Sequence, residues 1–80
     1  MDEEKKLKLI FETVHVDYAW IKEHSDENLL GKNVKMQARD LLIVYFMLEE
    51  FFKIRIPEKT IVNGEFVTYR QIAGLVHLNN

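Results

Sequence analysis

The spacing of apolar residues in the first third of the chain is typical of an amphipathic helix. From Glu3 to about His24, large apolar side chains recur at steps of three and four residues, which places them on one helical face. These positions are Leu7, Ile10, Phe11, Val14, Tyr18 and Ile21. The polar residues that follow, with Gly31 and Asn33 among them, interrupt this pattern. The sequence therefore predicts one long helix over 3–24, then a polar loop of about ten residues.

A second helix is predicted from about Lys35 to Lys53. This stretch is dense in Leu, Met, Phe and Glu and contains neither Gly nor Pro, a composition that favours helix. The next three residues, 54–56, alternate in polarity as an extended segment does. Pro57 disfavours the helical conformation for the residue before it, so it closes the second helix.

The last quarter of the chain contains signals for one short helix and one longer helix. Proline suits the first position of a helical turn, so 57–61 is predicted as a short one, and Asn63-Gly64 as a turn after it. Thr68 is a suitable N-cap for a final helix from Tyr69 to about Leu78. The predicted fold class is all-α: a single domain over 1–80, with three main helices plus one short helical turn in a small four-helix bundle.

Composition and charge narrow the classes of protein to consider. The chain has 80 residues, of which 48% are hydrophobic and 30% are charged, with no cysteine and a net charge of −2. This proportion of hydrophobic and charged residues is typical of a globular domain. Without cysteine, the chain can form neither disulfides nor a thiolate nucleophile. Its small negative net charge gives no positive field that would attract nucleic acid. The longest apolar run, 41–48, has eight residues, against the roughly 20 that a membrane span requires. The charged N-terminus is unlike a signal peptide, so we expect a cytoplasmic protein.

Two segments of the second half resemble the acyl carrier protein family. Leu48-Glu49-Glu50-Phe51-Phe52-Lys53-Ile54-Arg55-Ile56-Pro57 is similar to the end of that family's second helix, Leu-Glu-Glu-x-Phe, followed by x-Ile-x-Ile-Pro. Phe66-Val67-Thr68-Tyr69-Arg70-Gln71-Ile72 then takes the place of its Thr-Val-led last helix. The resemblance covers about Val34 to Val76. It implies an acyl-carrier-protein-like four-helix bundle.

The family's modified serine is missing from this chain. Counting back from Leu48, the family's Asp-Ser-Leu falls on Gln37-Ala38-Arg39. The methyl group of Ala38 has no oxygen for a phosphodiester, so we expect no phosphopantetheine and no other cofactor. Gln37 and Arg39 differ as well, which favours a natural loss over a single engineered change. Ser25 is the only serine, and it could serve only in a different register.

The chain is also similar to a divergent group of acyl-carrier-related proteins of bacterial peptide-maturation systems that lack this serine. That resemblance implies a docking or interaction subunit of a biosynthetic or peptide-maturation pathway, with a pathway enzyme as its protein partner. We expect no enzyme activity, because the chain lacks cysteine and Ser25 lies in no recognisable nucleophile motif.

A helical wheel of the second helix shows two stripes. The predicted core stripe consists of Leu41, Val44, Tyr45, Leu48 and Phe52. The other stripe consists of Arg39, Leu42, Ile43, Phe46, Glu49, Glu50 and Lys53. The acyl carrier protein resemblance implies that this second stripe is a recognition face, and we predict partner binding by Arg39, Leu42, Ile43, Phe46 and Glu50. It would also suit a homodimer. The other interpretation is that the first helix or a loop covers the apolar members of this stripe.

Other motifs give weaker signals. Glu12 and His15 have the spacing of a carboxylate-bridged metal motif, but no second copy accompanies them, so we expect no metal. Residues 68–76 resemble the first helix of a helix-turn-helix. The alternative function is therefore a small helical regulatory or DNA-associated protein with a partial helix-turn-helix. The sequence ends at Asn80 without a recognition helix or a basic stripe, so this alternative is the less favoured one.

Overall fold

Residues 3–79, with side chains described for 3–77, fold into five helices in a computed structural model. In chain order they are α1 Glu3–Thr13, α2 Tyr18–Glu23, α3 Ala38–Phe52, α4 Glu58–Val62 and α5 Tyr69–Asn79. No β-strand occurs among the described residues, so the predicted all-α class is confirmed. Within that range, every helix is too short or too polar to cross a membrane.

The prediction of one long first helix is wrong, because the helix is interrupted between Thr13 and Tyr18. His15 adopts a left-handed conformation with φ 64°, and the N–H groups of His15 and Val16 bond back to α1 carbonyls at 3.0 Å each. Asp17 then caps α2, accepting from the Trp20 N–H at 3.3 Å. The apolar spacing hides this break, since buried residues on both sides of it still face one core. The fold therefore has five helices instead of four.

The connection between α2 and α3 is longer and less polar than predicted. It covers residues 24–37, and it buries Leu29 completely and Met36 almost completely. The Leu29 N–H donates to the Val67 carbonyl at 2.7 Å, and the Arg70 N–H donates to the Ser25 carbonyl at 3.0 Å. These bonds hold the loop against the start of α5 and bring it close to α3.

The second half of the chain agrees more closely with prediction. The final helix has the expected cap, since the Gln71 N–H donates to Thr68 Oγ1 at 3.1 Å and the Thr68 N–H donates to Gln71 Oε1 at 3.2 Å. Gly64 makes the expected turn, with φ 73°. The short helix α4 exists, although Pro57 immediately precedes it instead of forming its first residue. α3 begins at Ala38, three residues later than predicted, after Lys35 in a left-handed conformation.

The core lies between α1, α3 and α5, with α2 packed on α1. α3 contributes Val44, Leu48 and Phe52, and α5 contributes Ile72 and Val76. The segment between α3 and α4 turns both of its isoleucines inward, as its alternating pattern predicts. The buried apolar residues are Leu7, Ile10, Phe11, Val14, Val16, Tyr18, Ile21, Leu29, Met36, Val44, Leu48, Phe52, Ile54, Ile56, Phe66, Ile72 and Val76.

A candidate docking surface on α3 and α4

The outer side of α3 carries large apolar side chains that face solvent. Leu42 is 49% exposed, Ile43 is 41% exposed and Phe46 is 58% exposed. The interpretation that α1 or a loop covers these three residues is therefore wrong for the described part of the chain. Their role in binding a partner stays a prediction.

The apolar surface extends beyond α3 onto α4 and the preceding loop. Ile61 and Val62 on α4 are 40% and 79% exposed, and Leu30 in the loop is 43% exposed. We call these residues together the apolar surface: Leu30, Leu42, Ile43, Phe46, Ile61 and Val62. Sequence reasoning missed the contributions of the loop and of α4, because their proximity to α3 depends on how the chain folds back.

A groove between α3 and α4 runs through this surface. It consists of two depressions of about 210 Å³ and 440 Å³ that share Leu42 and Ile61. The smaller one is lined by Leu30, Ala38, Leu41, Leu42, Ile61, Phe66 and Val67. The larger one is lined by Leu42, Tyr45, Phe46, Glu58, Ile61 and Val62. Such an open, mostly apolar groove can accept apolar side chains of another molecule.

Ala38 is the first residue of α3 and is exposed at the rim of this groove. Gln37 precedes it and donates its N–H to Asp40 Oδ2 at 3.0 Å, which stabilises the start of the helix. Ser25 lies elsewhere, in the turn after α2, where its carbonyl accepts from α5. The start of α3 therefore presents a methyl group to solvent and no serine hydroxyl.

Charged residues border the apolar part of α3. Arg39, Glu50 and Lys53 are exposed, and none of them forms an ion pair with another side chain that the structure describes. These charges are free to face a partner. Arg39 and Glu50 lie on the same side of α3 as Leu42, Ile43 and Phe46, so the structure brings all five predicted partner-binding residues together.

Glu49 belongs to the same predicted stripe of α3, but its side chain forms a hydrogen bond with the protein backbone. Its Oε2 accepts from the Ile56 N–H at 2.9 Å, and the Tyr45 hydroxyl donates to the Ile56 carbonyl at 3.0 Å. Burial raises the pKa of the Tyr45 hydroxyl, because it disfavours the charged phenolate. The two side chains thus hold the extended segment before Pro57 against α3. Glu49 is only partly exposed, whereas Glu50 is exposed.

The remaining candidates from the sequence show no chemical site. Glu12 lies on α1 and His15 lies beyond its end in a left-handed turn, so they do not share a helical face. No group of three or more His, Cys, Asp or Glu that could hold a metal occurs among the described residues. His24 stacks on the Trp20 ring at a centroid distance of 3.9 Å, and His77 lies 3.2 Å from a Glu3 carboxylate oxygen.

Comparisons with known proteins return no relative for this chain: no family model, no curated protein and no solved structure matches it. The likeness to acyl carrier proteins therefore depends on the two quoted segments of the second half alone.

Proposed function

We propose that this chain is an acyl-carrier-protein-like subunit without a phosphopantetheine arm, which acts as a non-catalytic docking protein in a biosynthetic or peptide-maturation pathway. Its partner is an enzyme of that pathway, and it binds through Arg39, Leu42, Ile43, Phe46 and Glu50. The observation that carries the proposal is the exposure of three large apolar side chains on α3, beside the position where a carrier would have its serine.

The energetics of this surface favour a docking role. Fully burying a large apolar side chain contributes about 1.5–3 kcal/mol, and the side chains of the apolar surface are between 40% and 79% exposed. A partner that covers them would remove much of this area from water. Exposed contiguous apolar residues rimmed by charges are typical of protein interfaces.

The carrier-like scaffold is tested by restoring the missing motif. We expect the triple variant Gln37→Asp, Ala38→Ser, Arg39→Leu to gain the mass of phosphopantetheine when incubated with coenzyme A and a broad phosphopantetheinyl transferase. The unaltered chain should gain no mass. All three positions are exposed and Asp is a good N-cap, so the fold should persist. An unmodified triple variant would count against a carrier scaffold, and a mass gain in the unaltered chain would overturn the loss of priming.

The docking surface is tested by polar substitution. Phe46→Ser should weaken binding to the enzymes encoded by neighbouring genes by tenfold or more, about 1.4 kcal/mol, as measured by calorimetry. Leu9→Ser is the control, because Leu9 is a large apolar residue that is 49% exposed, close to the 58% of Phe46, but lies on α1. Both variants should keep the circular dichroism spectrum of the parent. Unfolding of Phe46→Ser, or equal losses in both variants, would contradict this assignment.

A further inference from the structure

Five exposed residues along the outer side of α3 follow a heptad-like spacing. They are Arg39, Ile43, Phe46 and Glu50 within the helix and Lys53 directly after its end, and we call them the α3 ridge. The steps between them alternate between four and three residues, which is the spacing of the a and d positions in a coiled coil. A ridge of this kind packs along a second helix, and within the described residues no helix packs on it.

The ridge is also self-complementary when a second copy runs in the opposite direction. Arg39, Ile43, Phe46 and Glu50 are spaced by four, three and four residues, and this spacing is the same from either end. An antiparallel copy aligned on this pattern places Ile43 opposite Phe46, and Arg39 opposite Glu50. A twofold axis generates each of these pairs twice. The apolar residues meet at the centre and opposite charges meet on both sides.

The surroundings of the ridge fit this arrangement. Arg39 and Glu50 have no ionic partner in the part of the chain that the structure describes, so both are available for a second copy. A twofold axis perpendicular to antiparallel helices keeps the same flank of each copy on one side. The α4 flanks of both copies therefore lie on the same side of the contact, where the strongly exposed Val62 lines the same depression as Phe46.

We propose that a second copy of this chain docks on the α3 ridge in antiparallel orientation and forms a twofold-symmetric homodimer. This inference rests on the proposed function, since it takes the same α3 surface to be a docking surface. It adds a form of regulation: in the homodimer the surface is closed to the pathway enzyme, and the enzyme competes with self-association. Because one helix and its flank make a small interface, the dimer is weak and its population depends on concentration.

The charge pairs determine the orientation more than the affinity. Exposed ion pairs contribute little free energy, but like charges facing each other oppose association. Arg39→Glu makes two acidic residues face each other across the interface, and Glu50→Arg makes two basic residues do so. Both changes suit the α3 dipole, because they put an acidic residue near its N-terminus and a basic residue near its C-terminus. The fold should therefore tolerate both.

The experiment is sedimentation equilibrium on the parent chain, on each single variant, and on an equimolar mixture of the two variants. We expect a reversible dimer for the parent and at least tenfold weaker self-association for each variant alone. The mixture should recover dimers, because the introduced glutamate of one variant then faces the introduced arginine of the other. Circular dichroism should show unchanged folding in all samples.

Two results would overturn the homodimer. One is a parent chain that stays monomeric up to about 1 mM, the weakest affinity worth calling an association here. The other is a dimer that neither single variant weakens, or that the mixture fails to restore. Enzyme binding is measured separately with Phe46→Ser. A monomeric chain that still binds its enzyme would remove only this inference. A dimer that binds no enzyme would remove the proposed function and the competition with the enzyme, and would leave the homodimer itself.

Discussion

Backbone conformation at single residues marks the ends of the helices. Among the described residues, His15, Lys35 and Lys53 are the non-glycine residues with positive φ, and they lie after α1, before α3 and at the end of α3. The left-handed conformation costs an L-residue about 1–2 kcal/mol. At His15 and Lys53 this conformation follows the ends of α1 and α3 at a local cost in free energy, whereas Lys35 lies in the loop just before the N-cap of α3.

His15 offers a test of the break between α1 and α2. Its side chain is exposed, so substitution changes backbone preference and little else. His15→Gly should raise the free energy of unfolding by up to about 1 kcal/mol, because glycine tolerates positive φ. His15→Val should lower it by about 1–2 kcal/mol. Urea unfolding measures both changes.

The control for this pair is an exposed position inside α1. Lys8 is exposed and helical, so Lys8→Gly should lower the free energy of unfolding by about 1 kcal/mol. Glycine therefore has opposite effects at the two positions. A destabilised His15→Gly, similar to Lys8→Gly, would mean that the first helix continues through residue 15.

At the scale of elements, two neighbouring glutamates of α3 have different roles. Glu49 makes a structural contact, and Glu50 belongs to the exposed α3 ridge. Glu49 and Tyr45 bond the backbone of Ile56, so α3 positions the segment that leads into α4. Glu50 faces solvent on the α3 ridge. The contacts of Glu49 and Tyr45 with Ile56 hold α4 beside α3, and the groove of the candidate docking surface lies between these two helices.

Substitutions at the two glutamates should separate these tasks. Glu49→Ala leaves the Ile56 N–H without its acceptor and should lower the free energy of unfolding by about 1–2 kcal/mol. Glu49→Gln keeps an acceptor oxygen and should lose less. Glu50→Ala is the control and should stay within about 0.5 kcal/mol of the parent. Equal thermal stabilities of Glu49→Ala and Glu50→Ala would contradict the role of Glu49.

Local signals predicted some elements better than others. The Thr68 cap lies next to the helix it starts, and the α3 stripe requires only residues within one helix, so the pattern sufficed for both. The break at His15 depends on a balance between a continuous helix and a turn followed by α2, whose N-terminus Asp17 caps. The same apolar spacing is compatible with both outcomes, because Val14, Tyr18 and Ile21 are buried in either case.

At the scale of the whole molecule, an aromatic cluster joins the first and last parts of the chain. The Phe11 and Tyr69 ring centroids lie 5.6 Å apart, and the Tyr18 and Tyr69 hydroxyl oxygens lie 2.6 Å apart. Burial raises the pKa of Tyr69, because the phenolate loses hydration in this cluster. Lys22 nearby has a raised pKa through its hydrogen-bonded ion pair with Glu4, at 2.9 Å.

The raised pKa values of Tyr69 and Lys22 both predict that the free energy of unfolding decreases at alkaline pH. A folded-state pKa above the unfolded value means that the folded chain holds the proton more tightly. The contribution is complete below the unfolded pKa, about 10 for tyrosine, and declines as pH rises through the folded pKa. The free energy of unfolding should therefore fall between about pH 9 and pH 11, and Tyr69→Phe should reduce this fall. Urea titrations at both pH values test it; an unchanged fall in Tyr69→Phe would exclude Tyr69 as a cause.

The amino-acid pattern alone was enough to predict the all-α class, the two stripes of α3, the cap of the last helix and the absence of a hydroxyl at position 38. Each of these follows from side chains within one helix or at its end. The burial of Leu29 and Phe66 in the core, and the position of Ile61 and Val62 beside α3, became visible only in the folded chain. Burial depends on which elements meet, and loops of very different paths satisfy the same local pattern. The same holds for Leu42, Ile43 and Phe46, whose apolar spacing is equally consistent with a covered helix and with the exposed one observed.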